Sequence, residues 1–150
     1  MDRQILIRAA RDDDYPVIAA LFNTLAQTFI TPGMAPESAA TFLRENDREA
    51  MLANRARGHV VTIAEVDGAT AGFIAIRPPS HVFHLFVAAP FHRRGVARQL
   101  WESARGAATQ FTVNASLHAV PAYEALGFAR SAPMACVRGV SFQPMMYQRA

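Results

Sequence analysis

Residues 84–104, HLFVAAPFHRRGVARQLWESA, decide how this chain folds. The run HVFHLFV at 81–87 is rich in apolar and aromatic residues and reads as a strand. A loop containing Gly95 follows, then a helix on which Ala97, Leu100, Trp101, Ala104 and Ala108 share a face. Arg98, Gln99, Glu102 and Arg105 lie off that face. A strand that feeds a glycine loop and then a helix is a general anion site. The first-turn N–H groups of the helix lack intrahelical acceptors, and the helix dipole adds partial positive charge. Gly95 removes a Cβ where a phosphate would approach the backbone, and Ala97 keeps the next turn small. Arg93, Arg94 and Arg98 are candidates for the outer phosphate oxygens.

The pattern on either side completes an α/β arrangement. Residues 4–9 form a first strand, and Asp12 or Asp13 is the expected cap of the helix that follows, with Pro16 in its first turn. Ile18, Leu21, Phe22, Leu25 and Phe29 lie on one helical face. After the break TPGMAPES come two short helices, near 37–44 and 47–57, the second ended by Gly58. The period then changes. HVVTIAEV and TAGFIAI are strands joined by a tight turn at Asp67–Gly68. QFTVNA at 110–115 is a further strand, and SLHAVPAYEAL is a short helix stopped by Gly127. The last segment, MACVRGVSFQPMMY, is a hairpin turning at Arg138–Gly139. The strands at 81–87 and 110–115 flank a helix, so they should be parallel and linked right-handedly. One mixed sheet with helices on both faces is the expected fold, in a single domain spanning 1–150.

Composition narrows the function. The chain has 150 residues, 51% hydrophobic and 18% charged, enough to bury a core. No apolar run approaches the roughly 18 residues of a membrane span, and MDRQILIRAARDDD has no signal-peptide core. A cytoplasmic protein without a membrane partner is expected. All 15 basic residues are arginine, which removes Schiff-base chemistry and the lysine of GxxxxGK loops. Net charge is only +3 and no long basic run exists, so nucleic acid is not an expected partner. The single cysteine, Cys136, excludes an internal disulfide and a cysteine zinc site, and its apolar context marks it as a buried small hydrophobe. No histidine and carboxylate set has metal-ligand spacing, so no metal is expected.

The run at 84–104 resembles the acetyl-CoA signature of the GCN5-related N-acetyltransferases, Gln/Arg-x-x-Gly-x-Gly/Ala. Its six positions here are His92, Arg93, Arg94, Gly95, Val96 and Ala97, with His standing where the family has Gln or Arg. A second match follows: FTVNASLHAVPAYEALGF, 111–128, is similar to the family block that ends Tyr-Glu-x-x-Gly-Phe. The resemblance implies a mostly antiparallel sheet whose central parallel pair splays apart at a bulge. The pantetheine arm of acetyl-CoA would lie in that splay like an added strand. Leu85, Phe86 and Val87 would line it, Leu85 and Val87 through the main chain, with an N–H near Val87 facing the thioester oxygen. Asn114 or Ser116 would contact the pantetheine or cap the next helix.

The reaction so implied is attack of a neutral amine on the acetyl thioester through a tetrahedral intermediate that expels a thiolate. Tyr123 matches the family tyrosine that donates to the leaving sulfur. A phenol of pKa about 10 beside a thiol of about 8.5 can do so without strong perturbation. The general base is open. The strand at 81–87 carries His81 and His84 and no carboxylate; their odd spacing predicts opposite faces. Glu65 on the preceding hairpin is a further candidate. Phe22, Phe29, Ile30, Met34, Phe142, Met145, Met146 and Tyr147 are offered for the acceptor pocket or for the core. The acceptor is a small-molecule or peptide amine, and the protein a monomer or homodimer. Two alternatives stay open: a non-catalytic acyl-CoA-binding or sensory module of the same fold, and a small nucleotide-binding domain. The missing lysine and GxGxxG weigh against the latter.

Overall fold

A computed structural model describes residues 4–149. β1 (Ile5–Ala9) leads through a 3-10 turn into α1 (Tyr15–Phe29), followed by α2 (Pro36–Arg44) and α3 (Arg48–Ala56). β2 (Val60–Val66), β3 (Ala69–Arg77) and β4 (His81–Val87) form an antiparallel meander. α4 (Val96–Arg105) crosses over to β5 (Gln110–Ser116). α5 (Val120–Ala125), β6 (Ala129–Arg130), β7 (Ala135–Val137) and β8 (Val140–Gln148) complete the chain. The sheet runs β1-β2-β3-β4-β5-β8-β6, with β7 also on β8, and β4–β5 is its parallel pair. No helix is long and apolar enough to cross a membrane among the described residues.

Local chemistry accounts for the turns. Asp67 and Gly68 have φ of +53° and +79°, the two positive values a two-residue I′ hairpin needs. Arg138 and Gly139 repeat the device at +50° and +82° between β7 and β8. The start of α1 differs from expectation: neither Asp12 nor Asp13 caps it. Those residues form the 3-10 turn, and Asp14 does the work instead. Its carboxylate accepts from the Arg11 N–H at 2.6 Å and from Arg8 at 2.7 and 2.9 Å. Cys136 is exposed on β7 rather than buried, because this short strand lies at the margin of the sheet.

Two cores lie on the two sheet faces. Val96, Leu100 and Trp101 of α4 pack with Ile74, Val82, Phe111, Val113 and Tyr123. Ile18, Phe22 and Ala26 of α1 pack with Met51, Ile63 and Phe73 on the other face. β4 does not alternate simply between them. Ala75 pairs with His84 but Ile76 pairs with Val82, so Phe83 is an inserted residue, a β-bulge. Directly opposed residues share a face. His81 opposes Arg77 and His84 opposes Ala75, so both histidines lie on the face of Phe73, the α1 side. The expectation of opposite faces fails because the bulge adds one residue between them. Val82, expected beside His84, belongs to the α4 side.

The end of β4 is held by β3 at Gly72, where a Cβ would lie 2.6 Å from the Phe86 carbonyl oxygen. Gly72→Val is therefore expected to displace Phe86–Val87 and destabilise the fold by about 1–3 kcal/mol, read by chemical denaturation. Asp14 supplies a second test. Arg8 holds its carboxyl below the ordinary value of 3.8, so its contribution is full above that pH and is lost as pH falls through the lowered folded value. Asp14→Asn should cost about 1.5–3 kcal/mol at neutral pH and flatten the acid-side loss of stability.

Candidate active site

β4 and β5 pair only at His81↔Thr112 and Val82↔Val113. Beyond that point the strands part. The Ala88 N–H donates to Ala71 O at 2.8 Å, which fixes the phase of the β3–β4 ladder. Phe86 therefore turns its peptide groups toward β3, while Leu85 and Val87 turn theirs into the gap. β5 cannot close that gap, because its other edge is paired with β8 from Gln110 to Ser116. A cavity of about 970 Å³ occupies the gap, and Leu85, Phe86, Val87, Val113, Asn114, Ser116 and Tyr123 line it. Ser116 precedes the 3-10 turn at Leu117–Ala119 without a side-chain capping hydrogen bond, so the capping alternative is not used.

At one end of the cavity stands the N-terminus of α4. Gly95 is its N-cap residue at φ +79°, with no side-chain cap, and Arg93 is also left-handed at +63°. A Cβ at Gly95 would meet no atom within 4 Å, so the space above the loop is open to a ligand. His92, Arg93, Gly95, Val96, Ala97 and Arg98 all line this end; Arg94 does not and is exposed. His92 has a defined role: its Nε2–H donates to the Val87 carbonyl at 2.6 Å, tying the loop to the end of β4. Arg98 donates to the Ala125 carbonyl at 2.8 Å and so joins α4 to the end of α5. Arg105 lies at the far end of α4 and donates to the Tyr147 hydroxyl at 2.6 Å. The arginines of this segment therefore do not form one patch.

Acetyl-CoA fits these residues. The uncapped α4 terminus and open loop suit its pyrophosphate. The peptide groups of Leu85 and Val87 suit a pantetheine arm, apart from the Val87 carbonyl, which His92 already engages.

Tyr123 is buried, with its ring edge-on to Phe128 at 5.4 Å. Burial pushes its hydroxyl well above the ordinary phenol value, more than the sequence suggested, which keeps it protonated at neutral pH and makes it a weaker acid than a free phenol. His84 is 8% exposed and sits among Phe22, Phe73, Phe83 and Phe86, with ring centroids 4.6 to 5.9 Å away. Its Nε2 has no hydrogen-bond partner among the described residues, and burial pushes its pKa down to about 3. His84 lines the cavity; His81 does not. His81 stands where β4 and β5 are still paired, with Nδ1 2.7 Å from Thr112 Oγ1, and burial followed by Arg77 lowers it to about 4. Glu65 lies on β2 beside Arg8, outside the cavity.

Away from α4 the cavity is rich in aromatic side chains, with the polar Ser38, Thr41, Glu45, Asn46, Arg138 and Ser141 among them. Phe22, Phe29, Ile30 and Phe142 line it as anticipated, while Met34, Met145, Met146 and Tyr147 do not. Met145 is core, and Tyr147 packs on Trp101 at 5.1 Å. Phe42, Glu45, Phe83 and Arg138 also line the cavity and were not legible as site residues. Arg138 donates to Glu45 at 2.9 Å, and a Cβ at Gly139 would lie 2.7 Å from Ser38 Oγ. The β7–β8 turn thus rests on α2 and walls the cavity. Only the close approach at Gly139 and the paired charges could have signalled this, and neither is local in sequence. Among the described residues, no group of three or more His, Cys, Asp or Glu stands close enough to hold a metal.

A family model described as an acetyltransferase (GNAT) domain matches residues 30–149. Among solved structures, a GCN5-related N-acetyltransferase from Rhodopseudomonas palustris is similar at 23% identity and TM-score 0.78, covering 99% of this chain and 98% of that one. PaiA N-acetyltransferase of Thermoplasma acidophilum, in complex with coenzyme A, is similar at 15% identity and TM-score 0.75, covering 97% and 99%. YncA of Salmonella typhimurium, with acetyl-CoA, is similar at 17% identity and TM-score 0.71, covering 98% and 95%. Among curated proteins, none matches the chain by sequence. With the splayed parallel pair, the glycine loop at the head of α4 and a family match across most of its length, the chain belongs to the GNAT acetyltransferase family.

Proposed function

We propose that this protein transfers an acetyl group from acetyl-CoA to a primary amine of a small molecule or peptide by direct attack. The observation that carries this reading is one continuous cavity that reaches the α4 N-terminus, the unpaired edge of β4 and Tyr123. Acetyl-CoA supplies the activated acetyl thioester. The backbone N–H groups at the head of α4 and Arg93 bind the pyrophosphate end. Leu85 and Val87 orient the pantetheine arm through main-chain groups, and the Val87 N–H faces the thioester oxygen. Asn114 and Ser116 contact the arm from the opposite strand. Tyr123, held protonated by burial, gives its proton to the departing sulfur.

His84 is suited to accept a hydrogen bond from an uncharged amine, not to remove a proton from an ammonium ion, because its pKa of about 3 is too low. That same property favours the second reading, an acyl-CoA-binding module without turnover. The two separate in one experiment. Thermal shift with acetyl-CoA, CoA and ATP should show stabilisation by the first two alone, and thiol release with an amine panel should then report turnover. Selective stabilisation by ATP would overturn both readings, while acetyl-CoA binding without turnover on any amine would leave the binding module.

Two variants test the assigned parts. Tyr123→Phe should lower kcat about 100-fold or more while acetyl-CoA binding is kept. Gly95→Val should weaken acetyl-CoA binding, measured by calorimetry, because a β-branched residue is strained at φ +79° and its side chain enters the open space above the loop.

A further inference from the structure

The cavity offers little that could hold a cation. Three arginines line it, Arg93, Arg98 and Arg138, against a single carboxylate, Glu45, already paired with Arg138. Among the described residues, no second carboxylate lines the cavity to receive a cation. An ammonium group taken into it would lose hydration worth several kcal/mol. Aromatic faces return only about 0.5–2 kcal/mol of that through cation–π contact. Uncharged aromatic surface is favoured there, with Phe22, Phe29, Phe42, Phe83 and Phe142 as the walls.

Ser38, Thr41, Asn46 and Ser141 add polar groups to the lining, and His84 stands among the phenylalanines themselves. His84 lines the cavity, and its Nε2 is buried with no partner among the described residues. A buried polar atom left unpaired costs about 1–3 kcal/mol. Of the titratable groups near it, His59 alone adds an electrostatic push, and that also favours the neutral imidazole. From α1 the packed neighbour is Phe22, from β3 Phe73, and within β4 Phe83 and Phe86; none is charged.

We propose that the acceptor is a weakly basic aromatic amine, taken up uncharged, with its amino group hydrogen-bonded to Nε2 of His84. This rests on the acetyl transfer proposed above. The lone pair of an amine on an aromatic ring is delocalised, so it is uncharged at neutral pH and needs no strong base. Its nitrogen forms the new C–N bond and the thioester C–S bond breaks. Tyr123 gives its proton to the sulfur and is reprotonated by the proton the nitrogen sheds, leaving an anilide and free CoA. No other reactant is required.

The test compares 4-methylaniline with 4-methylbenzylamine, a charged amine of nearly the same size, by thiol release with acetyl-CoA. At pH 7, kcat/KM for the aniline should exceed that for the benzylamine by about 100-fold, because alkylamines with pKa near 10 are almost wholly charged there. The aniline rate should be flat from about pH 6 to about pH 9, whereas the benzylamine rate should climb about tenfold per pH unit. Equal or better use of the benzylamine at pH 7 would overturn the acceptor class while leaving acetyl transfer intact. Turnover of neither amine, with other amines acetylated, would overturn the class as well; no turnover of any amine would remove the transfer reading and this inference together.

His84→Phe supplies the residue-level test. It replaces an unpaired imidazole by an apolar ring of similar shape, so Tm should hold or rise. kcat/KM for 4-methylaniline should fall at least about tenfold. His84→Gln, which restores a polar group, should recover part of the loss. In the protein without acetyl-CoA, the 15Nε2 resonance of His84 should move on addition of 4-methylaniline. An unmoved resonance with unchanged kinetics in His84→Phe would overturn the assignment.

Discussion

The site depends on a ladder that stops. β4 and β5 exchange pairing at His81–Val82 and then separate, which leaves the inward peptide groups of Leu85 and Val87 facing a gap instead of a strand. Buried peptide groups need partners, so this gap is tolerable only where something takes their place. It persists because each strand is gripped on its far side. β3 holds β4 through Phe73↔Phe86 and Gly72↔Val87, and β8 holds β5 along its whole length. Gly72 matters here as empty space: with a side chain, the strands could not approach as they do at Phe86.

The histidine that departs from the family pattern is explained by the same geometry. The Val87 carbonyl points into the gap, and the His92 ring spans back to it. One acceptor is removed from the edge offered to a ligand. In exchange the glycine loop is fixed relative to the strand end, so the anion-binding turn of α4 and the strand edge form one rigid unit. A longer Gln or Arg at 92 would not be needed for that. The positive φ at Arg93 and Gly95 shows how sharply the chain must bend to place both parts on one cavity.

What was legible in the sequence was what local chemistry determines. Asp67–Gly68, Arg138–Gly139 and Gly58 announce their turns by residue type, and the apolar spacing of α1 and α4 announces their buried faces. The parallel crossover followed from its connectivity. What was not legible depends on register between distant strands. The bulge at Phe83 exists only in relation to β3, and with it goes the correct face of His81 and His84. Asp14 could not be distinguished from Asp12 and Asp13 without knowing that Arg8 would arrive from β1. Cys136 looked buried because its neighbours are apolar, yet β7 is too short and too marginal to bury it.

The bulge also ties the fold to the chemistry of the cavity. Without the bulge, regular alternation from Val82 through Phe83 would put His84 on the α4 side, inside a core that α4 seals with Leu100 and Trp101. With it, His84 turns toward α1 and the aromatic wall of the cavity, while Leu85 and Val87 keep their backbone toward the gap. A single extra residue therefore sets two things at once: the strand edge that a thioester arm can pair with, and the only unpartnered buried side-chain atom among the described residues. The cavity then joins the helix N–H groups and Arg93 at the head of α4 to a wall rich in phenylalanine. Helix N–H groups at the head of α4 suit an anionic group there.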